Sequence, residues 1–131
     1  MPVLRSPALP AQAAAGADAT TFVDVFQSSD SSGTGVSRAV VVAPPGYATV
    51  TGVATNNATI SLRQVRAGSV VATFASLTLA AGTNLVAEVP VSIPVTTPVN
   101  LAPDDVVDVV LHQNGTGLAV NAGLFVIVNV S

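Results

Sequence analysis

Cysteine, lysine and tryptophan are absent from this sequence, and each absence narrows the possible functions. Without cysteine there are no disulfides, no thiol catalysis and no zinc site that uses sulfur ligands. The four cations are all arginines, seven acids outnumber them, and the formal net charge is −3. A basic surface that neutralises phosphates therefore cannot form, which excludes nucleic-acid binding by electrostatic attraction.

Charge of either sign is scarce, and long apolar runs are missing. Charged residues make up 8% of the 131-residue chain, about a third of the ~25% found in ordinary domains. Half of the residues are hydrophobic, so the chain is expected to collapse into one folded domain. No apolar run approaches the ~20 residues of a membrane-spanning helix. Pro7 and Pro10 interrupt the place where a signal peptide would have its apolar helix, so we expect synthesis and retention in a cytoplasm.

From residue 20 onward the hydrophobic pattern is typical of β-strands. Turn signals recur every ~8–12 residues, the spacing of sandwiches and barrels. The sequence predicts an all-β fold, an antiparallel β-sandwich of about eight strands, with a jelly-roll-like order favoured over an immunoglobulin-like one. A polar loop is expected over 28–35. The predicted strands cover residues 20–27, 36–43, 47–55, 59–65, 70–79, 85–91, 106–113 and 124–130, with at most a short strand at 95–99.

Alternation within these runs predicts which side chains point into the core. Asp108 and His112 share a face that points outward, whereas Val107, Val109 and Leu111 point inward. Pro90 lacks an N–H donor, so the sixth predicted strand ends there or lies at an edge. The residues predicted to face inward are Ile60, Leu62, Leu85, Ala87, Val89, Val91, Val107, Val109 and Leu111.

The first nineteen residues differ from the rest, since they contain three prolines, a run of alanines and no alternation. They predict an extended N-terminal arm (1–19) followed by a single sandwich domain (20–131). Such an arm is either disordered until it meets a partner or laid along a neighbouring subunit; a tail without function is the alternative. Its candidate partner-binding residues are Val3, Leu4, Arg5 and Leu9.

Few residues could carry chemistry. His112 and Asp108 share a strand face, but no Gly-x-Ser-x-Gly motif presents a nucleophilic serine. Asp104, Asp105 and Asp108 could supply oxygen ligands to a hard cation, although acids after a proline more often cap a turn. We therefore expect a protein that is not an enzyme and has no cofactor, and the sequence leaves a cation at the acidic cluster open.

The shortage of charge also bears on assembly. Only eleven side chains are charged (seven acids and four arginines), and sparse charge on a small domain favours self-association. We expect other subunits or a larger scaffold to cover part of this surface. A monomeric sandwich with a neutral polar coat is the alternative.

A set of segments resembles a known family. These are the Pro/Ala-rich arm, the Pro-Pro-Gly-Tyr turn, the strand pair ATVTGVATNNATISLRQVRAG and the closing segment LAPDDVVDVVLHQNGTGLAVNAGLFVIVNV. Together they resemble the small β-sandwich head decoration, or cement, proteins of tailed bacteriophages. The resemblance implies a non-enzymatic structural protein, often trimeric, that binds the major capsid protein on the outside of the expanded capsid. Its expected location is the virion exterior after synthesis in the host cytoplasm.

A glycan- or host-surface-binding module of a phage head fibre or tail is the alternative function. Sugar sites commonly use exposed aromatic rings for stacking. The sequence has no tryptophan and a single tyrosine, Tyr47, so Tyr47 is the residue on which this alternative depends.

Overall fold

The computed structural model describes residues 3–27 and 34–131, and within them the chain is all β-strand, turn and loop, with no helix. None of the described residues forms a helix that could cross a membrane. Most of the predicted polar loop, residues 28–33, lies outside the described residues. The strands are β1 (Val3–Arg5), β2 (Ala19–Val25), β3 (Val36–Val42), β4 (Asn57–Arg66), β5 (Ser69–Thr78), β6 (Val91–Ser92), β7 (Val106–Asn114) and β8 (Phe125–Val130).

The strands form two antiparallel sheets of four, which confirms the predicted β-sandwich. One sheet has the order β1-β8-β3-β6 and the other the order β2-β7-β4-β5. The pairings are nested along the chain, because the first strand pairs with the last, β2 with β7, β3 with β6, and β4 with β5. Each sheet is completed by one further pairing, β3 with β8 and β4 with β7.

The core lies between the sheets and is formed by alternate residues of each strand, as the side-chain period of two requires. Ile60 and Leu62 are fully buried, and Val107, Val109 and Leu111 are buried as predicted. Two phenylalanines, Phe26 and Phe74, are the largest fully buried side chains. The sequence therefore predicted the inward faces of β4 and β7 correctly.

The β4–β5 hairpin closes through a two-residue turn at Ala67 and Gly68, whose φ angles are 51° and 80°. Positive φ at both central residues is the signature of a type I′ turn, which matches the twist of the flanking strands. Glycine adopts this conformation readily, whereas alanine pays a steric cost because of its Cβ. The turn predicted at these residues is confirmed, with strain located at Ala67.

Two predicted strands are wrong. Residues 47–55 and 85–91 contribute only the isolated bridges Val50–Leu85 and Ala43–Ala87, apart from Val91, which begins β6. Glu88 has a φ of 62°, which interrupts an extended run. Val89, predicted to face inward, is 50% exposed. Alternation alone could not exclude a strand there, because it carries no information on backbone angles.

The segment predicted as an arm is extended but runs along its own domain. After β1 pairs with β8, Ser6 N–H donates to Val126 O (2.9 Å) and Leu9 N–H to Leu124 O (2.8 Å). Gln12 is buried, forms a bridge with Val120 and donates a side-chain hydrogen bond of 2.8 Å to Leu111 O. Residues 3–5 thus complete one sheet of the sandwich.

Candidate functional site

The outer face of the β2-β7-β4-β5 sheet, here called the polar face, is rich in hydroxyl groups. Strand pairing places threonine and serine side chains opposite one another, as in the 3.0 Å hydrogen bond between the Thr59 and Thr78 hydroxyls. Three large hydrophobic side chains of this sheet are strongly exposed, Phe22 on β2 and Val70 and Val71 on β5. The face comprises Thr20, Phe22, Thr59, Ser61, Arg63, Val65, Val70, Thr73, Ser76, Thr78, Asp108, Val110 and His112.

Both arginines of this sheet are neutralised by carboxylates. Arg63 on β4 binds Asp108 on β7 through two hydrogen bonds of 2.8 and 2.7 Å, and the strand register places the two residues directly opposite. The hydrogen bond to Asp108 raises the pKa of Arg63. A bidentate pair of this kind is strong and geometrically specific. The charges of Arg63 and Asp108 are therefore balanced within the chain, without an outside partner.

The Asp105 carboxylate is held by four hydrogen bonds from its own chain. It accepts two hydrogen bonds from Arg66 (2.8 and 2.9 Å), one from Gln64 (2.8 Å) and one from the Ala102 N–H (2.8 Å). Hydrogen bonding to Arg66 is the largest cause that holds the pKa of Asp105 far below its usual range. The carboxylate is buried at 1% exposure, and its partners make it a structural anchor for the 102–105 turn.

The three acids of the predicted cluster, Asp104, Asp105 and Asp108, each bind a different side chain. Asp105 binds Arg66 and Asp108 binds Arg63, while Asp104 accepts a hydrogen bond of 2.6 Å from Gln27. Among the described residues no group of three His, Cys, Asp or Glu side chains converges as metal ligands. His112 contacts Asp18, not Asp108, through a 2.6 Å pair in which both side chains are more than half exposed.

The outer face of the β1-β8-β3-β6 sheet, here called the apolar face, has the opposite character. Val3 and Phe125 are 39% and 40% exposed, and Val40, Val42 and Ile127 are half-buried. None of the four strands contains an acidic residue. The face comprises Val3, Arg5, Arg38, Val40, Val42, Ser92, Phe125, Ile127 and Asn129.

A shallow depression of about 360 Å³ lies on the apolar face. Arg5 on the edge strand β1 lines it together with Phe125 and Ile127 of β8. Ser6 also lines it, but its hydroxyl is already engaged by Val126 N–H (2.8 Å) and Pro7 O (2.8 Å). The depression therefore offers an apolar surface and one cationic group. Its lining residues are Arg5, Ser6, Val42, Phe125, Val126 and Ile127.

Arg5 and Arg38 lack a carboxylate partner within the part of the chain that the structure describes. The ion pairs there involve Arg63, Arg66 and His112. The protein is acidic overall, with a net charge of −3, yet this face carries two cations and no acid. It is thus a local positive and apolar surface on an anionic molecule.

The structure separates the four residues predicted to bind a partner. Val3 and Arg5 are exposed on the apolar face, but Leu4 and Leu9 are buried at 5% and 2% exposure in the core of their own chain. Leu4 and Leu9 are therefore not surface anchors, and this part of the prediction is corrected. The physical reason is alternation along β1 and the ladder to β8, which turn both leucines inward.

Tyr47 does not present its ring to solvent. Its side chain is 9% exposed and its hydroxyl donates to Asn121 O at 2.8 Å. Burial raises the pKa of Tyr47. The exposed aromatic residues are instead Phe22 and Phe125, which sequence reasoning missed because strand alternation alone did not show which face of each strand met the core.

Comparison with known proteins gives no relative for this chain. No protein-family model matches it, and neither the curated proteins nor the solved structures contain a match.

Proposed function

We propose that this chain is a non-enzymatic decoration protein that binds the major capsid protein on the outside of a bacteriophage head, as a homotrimer. The observation that carries this proposal is the apolar face. This face exposes Val3 and Phe125 beside two arginines that have no carboxylate partner among residues 3–27 and 34–131, and such a surface is suited to contact with protein.

The distribution of polar groups supports a structural role. Within residues 3–27 and 34–131, every buried side-chain nitrogen or oxygen has a hydrogen-bond partner. Asp105 and Asp108, which could have acted in catalysis or metal binding, are hydrogen-bonded to arginines. Their carboxylates stabilise the fold, which is the use expected of polar groups in a scaffold protein.

The proposal includes a jelly-roll topology. The strand pairs are nested, from β1 with β8 on the outside to the β4–β5 hairpin on the inside. This order results when one long antiparallel ribbon wraps around a core. Eight strands in two packed sheets also match the jelly rolls of viral capsid proteins. Because jelly rolls occur in lectins as well, the fold supports the capsid role only together with the apolar face.

The glycan-binding alternative receives less support. The Tyr47 ring is buried. Of the two polar side chains that line the depression beside Phe125, Ser6 is hydrogen-bonded, and the Arg5 guanidinium has no side-chain partner within the described residues. Sugar recognition requires several placed hydrogen-bonding groups around a stacking ring. Loss of glycan binding on Phe125→Ser, in an array that the wild type binds, would revive this alternative.

The test is made on particles from the genome that encodes this chain. Purified virions are analysed by mass spectrometry and cryo-electron microscopy, with particles from an in-frame deletion of the gene as the control. We expect the chain in near-stoichiometric ratio to the major capsid protein, with density on the outer shell that the deletion removes. Absence of the chain from purified particles would contradict the proposal.

A further inference from the structure

We propose that copies of this chain join head to tail, with the turn at residues 86–89 of one copy lying in the Arg5 depression of the next. The contact would pair Glu88 of one copy with Arg5 of its neighbour. This inference rests on the self-association in the proposed function, and it names the surfaces that produce it.

The turn at residues 86–89, here called the Glu88 turn, exposes two apolar side chains. Val86 and Val89 are 39% and 50% exposed, and Val89 N–H donates to Val86 O at 3.1 Å. Glu88 N–H donates to Ala43 O at 2.8 Å, which fixes the turn beside the end of β3. The turn therefore displays two valines around the only glutamate of the sequence.

The backbone of Glu88 is strained. Its φ of 62° lies in the left-handed region, which is unfavourable for a residue that carries a Cβ. In a turn with this geometry glycine or asparagine is the usual residue. Strained residues concentrate where a side chain must be presented to a ligand or partner, and Glu88 has no ion-pair partner within the described part of the chain.

The Arg5 depression is complementary to this turn in both charge and polarity. It offers a guanidinium that can bind a carboxylate through two hydrogen bonds, next to the apolar surface of Val42, Phe125 and Ile127. The valines of the Glu88 turn would cover that surface, and removal of apolar area from water supplies the non-directional part of the attraction.

Arg5 and Glu88 do not form an ion pair with each other within one chain. Arg5 lies on edge strand β1, while the Glu88 turn precedes the opposite edge strand, β6. Edge strands of a four-stranded sheet are about 14 Å apart, at about 4.8 Å per strand spacing. The depression and the Glu88 turn are both near the Val42–Ala43 end of β3, so a neighbouring copy can engage one while its own complementary surface remains available.

Such a contact is heterologous, because a different surface is used on each side, and heterologous contacts close into rings when the rotation permits. The competing arrangement pairs the apolar face with itself across a twofold axis. That arrangement would bring Arg5 and Arg38 of both copies together, and like charges across an interface are unfavourable. Charge complementarity thus favours a second copy in head-to-tail orientation.

The test uses charge reversal followed by sedimentation velocity over a wide concentration range. Arg5→Glu and Glu88→Arg are each expected to weaken self-association at least tenfold, and the double variant is expected to restore it to within threefold of the wild type. Arg38→Glu is the matched control, since it makes the same charge change on the same face outside the depression; it should change association less than threefold. Circular dichroism and thermal unfolding verify that each variant is folded.

Glu88→Gln provides a second measurement if Glu88→Arg fails to fold, because glutamine keeps the size of the side chain and removes its charge. We expect it to weaken association about tenfold. A wild type that stays at the 13.0 kDa chain mass at every concentration, or a double variant no better than the single ones, would overturn the inference. A monomeric chain that still binds particles would leave the decoration role standing and remove the homotrimer from it. A ring that is absent from particles would remove the decoration role and leave the head-to-tail contact.

Discussion

The two sheets differ in whether their arginines have carboxylate partners. On the β2-β7-β4-β5 sheet, Arg63 and Arg66 each bind a carboxylate of their own chain. On the β1-β8-β3-β6 sheet, Arg5 and Arg38 are exposed on strands that contain no acid. Both arginines of the first sheet thus have carboxylate partners, whereas Arg5 and Arg38 of the second sheet have none within the described residues.

The exposed apolar side chains are placed differently on the two sheets. On the β2-β7-β4-β5 sheet they lie on the two edge strands, Phe22 on β2 and Val70 and Val71 on β5, with threonine and serine hydroxyls between them. The apolar face exposes Val3 and Phe125 and half-exposes three more aliphatic side chains, and Phe125 lines one depression beside Arg5. Burial of such surface contributes roughly 25 cal/mol per Å², so covering the apolar face with protein is favourable.

The largest expected effect concerns the segment that completes the apolar-face sheet. Leu9→Ala should lower the free energy of unfolding by about 2–4 kcal/mol, because it leaves a cavity at a side chain that is 2% exposed. Val3→Ala is the matched control in the same segment; at 39% exposure it should cost less than about 1 kcal/mol. Urea denaturation measures both, and equal losses would show that residues 3–12 do not pack on the domain.

The next effect concerns the ion pairs beneath the polar face. Asp105→Asn should cost about 2 kcal/mol at neutral pH, since it weakens charge-assisted hydrogen bonds to Arg66 and Gln64. Asp104→Asn is the control, because Asp104 is exposed and asparagine can still accept the hydrogen bond from Gln27. Chemical denaturation of the three proteins at pH 7 measures the difference.

Acid should remove the advantage of the wild type over Asp105→Asn. The pKa of Asp105 is lowered in the folded state, whereas an unfolded aspartate titrates near about 3.9. The stabilisation is therefore fully present above that value and is lost as the pH falls towards the folded-state pKa. A difference in unfolding free energy that stays constant from pH 6 to pH 2 would contradict the assignment.

The sequence allowed prediction of the sandwich but not of the site. Strands of seven to ten residues, such as β4 and β7, carry enough alternation to be recognised, whereas β1 and β6 have three and two residues and show no period. The character of the two outer faces could not be predicted, for a different reason. Arg63 pairs with a residue 45 positions away, and only the strand register shows which arginines acquire a carboxylate.

A smaller effect distinguishes the backbone strain of Glu88 from its role in self-association. Ala67 in the β4–β5 turn and Glu88 both have positive φ, so replacing either with glycine should stabilise the fold by about 1 kcal/mol. Only Glu88→Gly should also weaken self-association, at least tenfold, because Ala67 lies in the hairpin of the polar sheet. Thermal unfolding and sedimentation velocity on the two variants provide the comparison, and equal effects on association would count against a role for Glu88.

The central claim is that protein covers the apolar face while solvent covers the polar face. The two exposed phenylalanines test it directly, because Phe125 and Phe22 have similar exposure, 40% and 49%, on opposite outer faces. We measure the concentration of half-assembly of Phe125→Ser and Phe22→Ser by sedimentation velocity. The claim predicts that Phe125→Ser raises it at least tenfold and that Phe22→Ser leaves it within threefold of the wild type; equal shifts, or a larger shift for Phe22→Ser, would contradict it.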